Sequence, residues 1–175
     1  MAEYQGFPTV DELRDKQTSD PDMLTALLYG LVAGAVGAAI WYAIVVVTNY
    51  EVGIVAVLIG WLVGQAIVFG SGRKRGLKLQ LLSVLITLTA MVGAEYFIVR
   101  EFVVQYVTEN AGAAQASQIP LFLPLDVAVD FIVGVVQDDP LTLLFWGIAL
   151  YAAFRVPRLE PIAAPTPAPS TTTPS

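Results

Sequence analysis

The chain has 175 residues, nine of them basic and fifteen acidic, for a net charge of −6, and 56% of it is hydrophobic. It contains neither cysteine nor histidine, which excludes disulfides, Cys/His zinc sites, His- or Cys-ligated haem, cysteine nucleophiles and Ser-His-Asp triads. The acidic balance argues against generic nucleic-acid binding, and a charged content of 14%, against about 25% in soluble domains, points to lipid as the solvent.

Residues 1–23 form an acidic, polar segment with no basic stretch before an apolar core, so it is not read as a signal peptide. Within it, Thr9 and Glu12 have the spacing of a capping box and predict a short helix from about Val10 to Lys16. Four apolar runs follow, at 24–48, 52–69, 77–99 and 141–154. A hydrocarbon core about 30 Å thick takes about 20 helical residues. The first and third runs exceed that length. The second falls slightly short and must stand nearly upright or draw the bilayer in, and the last is the shortest. Asp20-Pro21 and Asp139-Pro140 each put an N-cap carboxylate before a proline at the first helical position. The spans are therefore placed at about 24–48, 52–69, 77–99 and 140–156, within a bundle covering 24–156. Only Asn49-Tyr50-Glu51 separates the first two, which predicts a tight antiparallel hairpin.

Threading follows from the basic residues. Arg14 and Lys16 precede the first span, Arg73, Lys74, Arg75 and Lys78 lie between the second and third, and Arg155 and Arg158 follow the last. Only Arg100 falls elsewhere. With four spans and a cytoplasmic N-terminus, eight of the nine lie inside, as the positive-inside rule favours. The segment 100–139 is then external. Its apolar stretch 119–136 carries Asp126 and Asp130, each costing about 2.5–3.5 kcal/mol at mid-bilayer, and is read as an external amphipathic helix with Asp126, Asp130 and Gln137 on one face. A five-span form, in which 119–136 crosses, is the alternative. Residues 157–175 are rich in Pro, Ser and Thr and read as a disordered tail. The expected fold is thus all-α: an integral membrane helical bundle of four transmembrane helices plus the external helix.

Gly30/Gly34 and Gly60/Gly64 have GxxxG spacing, read first as packing within the first hairpin and second as a homo-oligomer face. Glu95 is read as a carboxylate near the external interface, pairing with Arg100 or meeting headgroups. Gln65 is read as interhelical glue, Trp61 as packed between helices, and Trp41, Tyr42, Tyr50, Tyr96, Phe97, Trp146 and Tyr151 as interface belts. The acidic residues Glu101, Glu109, Asp126, Asp130, Asp138 and Asp139 could collect a hard cation, but they lack calcium-loop spacing and read as caps and solvated faces. The basic loop 73–78 reads as topogenic, with a general pull on anionic headgroups. No specific lipid or nucleotide site is read from it, and Gly70-Ser71-Gly72 is no phosphate loop. No catalytic, cofactor-binding or metal-ligating residue is identified.

The order Trp41-Tyr42, Thr48-Asn49-Tyr50-Glu51-Val52-Gly53, Val63-Gly64-Gln65-Ala66, Gln80 beyond the basic loop, Gly93-Ala94-Glu95-Tyr96 and Tyr151-Ala152-Ala153-Phe154-Arg155 resembles a group of uncharacterised bacterial four-span membrane proteins. In that group a T-G-Y-E-x-G turn joins two Gly-rich spans; here Asn49 stands at the first glycine. The resemblance covers about residues 24 to 157 and implies a prokaryotic membrane module, but carries over no catalytic residues. The expected function is a non-enzymatic anchor, scaffold or accessory subunit of the cytoplasmic membrane, with both termini cytoplasmic. Its expected partners are membrane lipids, with a homo-oligomer or larger membrane complex as the further possibility. The alternative is a small transporter or channel acting as an oligomer, with Gln65, Glu51, Glu95 and Asp126/Asp130 as its polar path. A membrane enzyme would require Glu51, Glu95 and Asp130 to converge.

Overall fold

The computed structural model describes residues 9–50, 53–122, 129–130, 133–134 and 140–159. Among them every regular element is helical: α1 (Val10–Thr18), α2 (Met23–Thr48), α3 (Ile54–Gly70), α4 (Leu77–Ala111), α5 (Ala113–Ala116) and α6 (Pro140–Arg155). The capping box before α1 forms as its spacing implies: the Thr9 amide donates to Glu12 Oε2 at 2.9 Å and the Glu12 amide to Thr9 Oγ1 at 3.3 Å.

The cap of α2 is Asp22, not Asp20. Its carboxylate accepts the Thr25 amide at 3.0 Å and the Thr25 hydroxyl at 2.6 Å, which holds it below the usual carboxylate range. A carboxylate three residues ahead of a free first-turn amide reaches it with local geometry alone, and Pro21 then precedes the cap. At the other end Asn49 closes α2 in the left-handed conformation, with φ 55°. That position explains why glycine is expected there, and why asparagine serves. Pro140 opens α6 as its sequence implies; Asp139 lies outside the described residues.

The third apolar run does not end its helix at residue 99. No proline or glycine interrupts the chain after Gly93, and α4 continues to Ala111, where Gly112 breaks it with φ 94°. The chain then folds back. The Tyr96 hydroxyl donates to the Leu121 carbonyl at 3.0 Å, and Arg100 donates to the Pro120 and Ile119 carbonyls at 3.1 and 3.4 Å. Residues 119–122, the start of the expected amphipathic helix, are not helical, whereas 129–130 and 133–134 are; the rest of that segment, with Asp126, lies outside the described residues.

α2 packs on α3 and α4, α3 on α4 and α6, and α4 on α6, so α2 and α6 flank a central α3–α4 pair. Two helices, α2 with 26 residues and α4 with 35, are long and apolar enough to cross a membrane; α3 and α6 are apolar but shorter, with 17 and 16. At 1.5 Å per residue the latter span about 25 Å each.

Outward faces carry large aliphatic side chains: Leu24 is 67% exposed, Val32 65%, Leu85 61% and Leu58 57%. Inward faces carry Gly30, Gly34, Gly37, Gly60 and Gly64 together with Ala26, Ala56, Ala149, Ser83 and Thr87, around a core that includes Ile59, Ile67, Met91 and Ile98. The glycines are used within the chain. Gly30 and Gly34 face Ile67, Ile86 and Ala90 on α3 and α4, while Gly60 and Gly64 face Ala149 and Val156 at α6. The second pair therefore does not pack the first hairpin, as its spacing had suggested, and neither pair lies on an outer face.

Candidate functional site

Two places gather polar side chains: one end of the bundle, and the inner face of α4.

At the first, the loop after α3 joins three parts of the chain. Ser71 is buried, and its hydroxyl reaches the Val68 and Lys74 carbonyls at 2.9 and 3.1 Å. Lys74 donates to the Lys16 carbonyl at 2.7 Å and to the Ser19 hydroxyl, which fastens the end of α1. Arg75 Nη1 donates to the Val156 carbonyl at 2.6 Å and the Arg158 carbonyl at 3.2 Å. The Gly76 amide donates to the Pro157 carbonyl at 3.0 Å, and Gln80 Nε2 to the Phe154 carbonyl at 3.0 Å. The last carbonyls of a helix have no intrahelical partner, and a cation there also meets the negative end of the helix dipole. Gln80 on α4 supplies such a partner to α6, and Arg75 holds the turn that follows it. The loop read as topogenic is thus also a clamp, and residues 157–159 are folded onto it; 160–175 lie outside the described residues.

Beside the clamp, a lateral groove of about 690 Å³ runs between α3 and α6, lined by Trp61, Gln65, Ile148, Tyr151, Ala152, Val156 and Leu159, with Arg75, Arg155 and Arg158 around it. Gln65 faces this groove rather than another helix, and Trp61 is 50% exposed on its rim rather than packed between helices. The groove is closed on its inner side. A Cβ on Gly60 would lie 2.1 Å from the Ala149 carbonyl oxygen, and one on Gly64 2.8 Å from Val156 Cβ, so the two helices touch along its floor.

The inner face of α4 carries Gln80, Ser83, Thr87 and Glu95, all buried. Glu95 is 1% exposed and neither snorkels nor meets solvent; Arg100 directs its guanidinium to the returning chain at 119–120 instead. At five residues' separation the two side chains leave the helix on different faces. Exposed Thr48, Thr89 and Thr108 return their hydroxyls to the carbonyl four residues back, at 2.6, 2.9 and 2.7 Å. Ser83 and Thr87, deep in the bundle, make no such bond, and neither do the indole nitrogens of Trp41 and Trp146. Both tryptophans, expected in interface belts, are buried at 2% and 9%. Together with Thr142, Gly53 and Phe145 they line a small cavity of about 110 Å³. Toward the end of α4, the Tyr42 hydroxyl donates to Glu101 Oε2 at 3.3 Å.

Glu51, Asp126, Asp138 and Asp139 lie outside the described residues. Asp130 and Glu109 are exposed, and among the described residues no three acidic side chains come together to hold a metal ion. Of the residues singled out by sequence, Arg75, Arg155 and Gln65 are brought together, and Glu95 is isolated from them. Gln80 as an α6 cap was not foreseen; a polar side chain in line with Ser83 and Thr87 at helical spacing was its available signal.

No protein-family model, curated protein or solved structure matches this chain.

Proposed function

We propose that this chain is a multi-pass integral protein of a bacterial cytoplasmic membrane, with α2, α3, α4 and α6 spanning it and both termini in the cytoplasm. In this reading it acts without catalysis, as an anchor, scaffold or accessory subunit.

The observation that carries the membrane reading is the apolar exterior. Leu, Val and Ile crowd the outside as well as the core, while glycine, alanine, serine, threonine and a carboxylate are placed inside. In water such an outer face would be a large exposed apolar patch; in lipid it is the solvated surface, and small residues inside let the helices approach. This supports counting α3 and α6 among the spans although each is short, because they lie against α2 and α4 and share their apolar exterior. The positive-inside rule supports the orientation, since the loop at 73–76, α1 and the end of α6 meet at one end.

The non-catalytic reading draws on how the polar groups are used. Lys74, Arg75 and Gln80 are spent on backbone carbonyls that join elements. A transporter acting as an oligomer would draw on the groove at Gln65. The closed contact of Gly60 with Ala149 weighs against a path through the bundle there.

Purification of the full chain in mild detergent, followed by mass analysis of the intact particle, tests the role. The anchor or accessory reading expects a companion protein in fixed stoichiometry. A lone monomer that carries solute across reconstituted vesicles would replace it with the transporter.

A further inference from the structure

We propose that the groove between α3 and α6 is a binding site for an anionic phospholipid, with the lipid phosphate held by Arg155 and Arg158 beside Arg75, and an acyl chain laid along Trp61 and Ile148. The proposal rests on the membrane reading above and goes beyond it by giving one seat and one chemical class.

The groove divides its chemistry along its length. Trp61 and Ile148 supply apolar wall, Gln65 and Tyr151 supply hydrogen-bonding groups, and three arginines supply charge. Arg75 is fixed by the carbonyls of Val156 and Arg158, and Arg155 Nη1 donates to the Tyr151 hydroxyl at 3.2 Å, so two of the three cations are held in place. A volume of about 690 Å³ falls within the range of small-molecule sites. A soluble anion would engage the arginines and leave Trp61 and Ile148 unused. A zwitterionic lipid would use the wall but bring a cation to the arginines. An anionic phospholipid fits both halves.

Helix length places the arginines where such a lipid is found. α3 and α6, with 17 and 16 residues, reach about 25 Å, less than the hydrocarbon thickness of about 30 Å. Short spans thin the bilayer or draw headgroups inward. Both short helices lie side by side, so this happens on the face that bears the groove. Arg155, which ends α6, is then within reach of the phosphate layer.

The test uses the placement of the three tryptophans: Trp61 is exposed on the groove, Trp41 and Trp146 are buried. The full chain is reconstituted in phosphatidylcholine vesicles containing a minor fraction of chain-brominated phosphatidylglycerol or chain-brominated phosphatidylcholine, and tryptophan quenching is measured, with Trp61→Phe to isolate the Trp61 signal. The expected result is an apparent preference for the anionic lipid of at least about fivefold, the weight of one basic residue, markedly reduced in Arg155→Gln/Arg158→Gln, where Arg75 alone remains. If the double variant loses helix content, Arg158→Gln alone, which leaves the Arg155–Tyr151 bond in place, should show an intermediate preference. Equal quenching by both lipids would overturn the site while leaving the membrane reading intact. So would a preference undiminished in either arginine variant, or one erased by inorganic phosphate, which would assign the arginines to a soluble anion. Failure to enter vesicles at all, with no quenching by either lipid, would instead remove the membrane reading.

Discussion

The α3–α6 pair and the α2–α4 pair hold together by different means. α2 and α4 are long and meet through Ile86 and Ala90 lying over Gly30 and Gly34. α3 and α6 are short and meet almost backbone to backbone at Gly60 and Ala149, with their ends tied by Arg75, Gly76 and Gln80 to the carbonyls of residues 154–158. The α3–α6 interface is no smaller than the α2–α4 one; the difference lies in what touches. Side chains over glycine can shift to admit a methyl, whereas a backbone carbonyl over glycine cannot, so single substitutions at Gly60 should be far more damaging than at Gly34.

The sharpest way to break this contrast is a pair of alanine substitutions. Gly60→Ala would drive a methyl into the Ala149 carbonyl, which no rotamer change relieves, and should cost about 3 kcal/mol. Gly34→Ala meets side chains alone, the Ile86 methyl at 3.2 Å, Ala90 at 3.4 Å and Val63 at 3.8 Å; helix propensity offsets that crowding, so the change should stay within about 1 kcal/mol. Thermal unfolding in detergent should separate the two clearly, and equal melting points would remove the distinction. Arg75→Gln should come next, at about 1.5–3 kcal/mol for the loss of charged hydrogen bonds to the Val156 and Arg158 carbonyls just past α6, with protease sensitivity appearing after residue 155. Gln80→Leu removes one neutral bond to the Phe154 carbonyl and should cost about 1 kcal/mol, read in the same melts. The smallest effect belongs to the start of the long pair. Asp22 has its pKa lowered by its bonds to Thr25, so its contribution is present above the ordinary carboxylate value and lost as pH falls through the lower, folded one. Asp22→Asn should therefore flatten a slight loss of stability at acid pH, and an identical acid profile in both proteins would dismiss the cap.

Much of the fold was legible because its signals are local. The capping box at Thr9 and Glu12, the short connection at Asn49-Tyr50-Glu51 and the apolar runs depend on neighbours a few residues apart. The full length of α4 was not legible because hydropathy falls at Arg100 while helix propensity does not; nothing breaks the helix until Gly112. The tryptophans were misassigned for a different reason. Trp41 and Trp146 read as belt residues from their places in the apolar runs, yet they face inward, and facing depends on which helices pack together. The same holds for Gly60 and Gly64, whose spacing announces a close contact without naming α6 as the partner. The groove was illegible because it joins Gln65, Tyr151 and Arg75 from distant parts of the chain, and the clamp because a loop arginine and a carbonyl near residue 156 carry no shared pattern.

The account's central claim is a lipid-solvated bundle with its basic end in the cytoplasm. The chain lacks cysteine, so single cysteines report cleanly. Arg73→Cys and Ala114→Cys, both at exposed positions on opposite ends of α4, should be compared in intact cells with a thiol reagent that cannot cross the membrane. The account predicts labelling at 114 in intact cells and at 73 only after the membrane is opened. Labelling at 73 with protection at 114 would invert the orientation, and protein recovered in the aqueous fraction without detergent would contradict the claim itself.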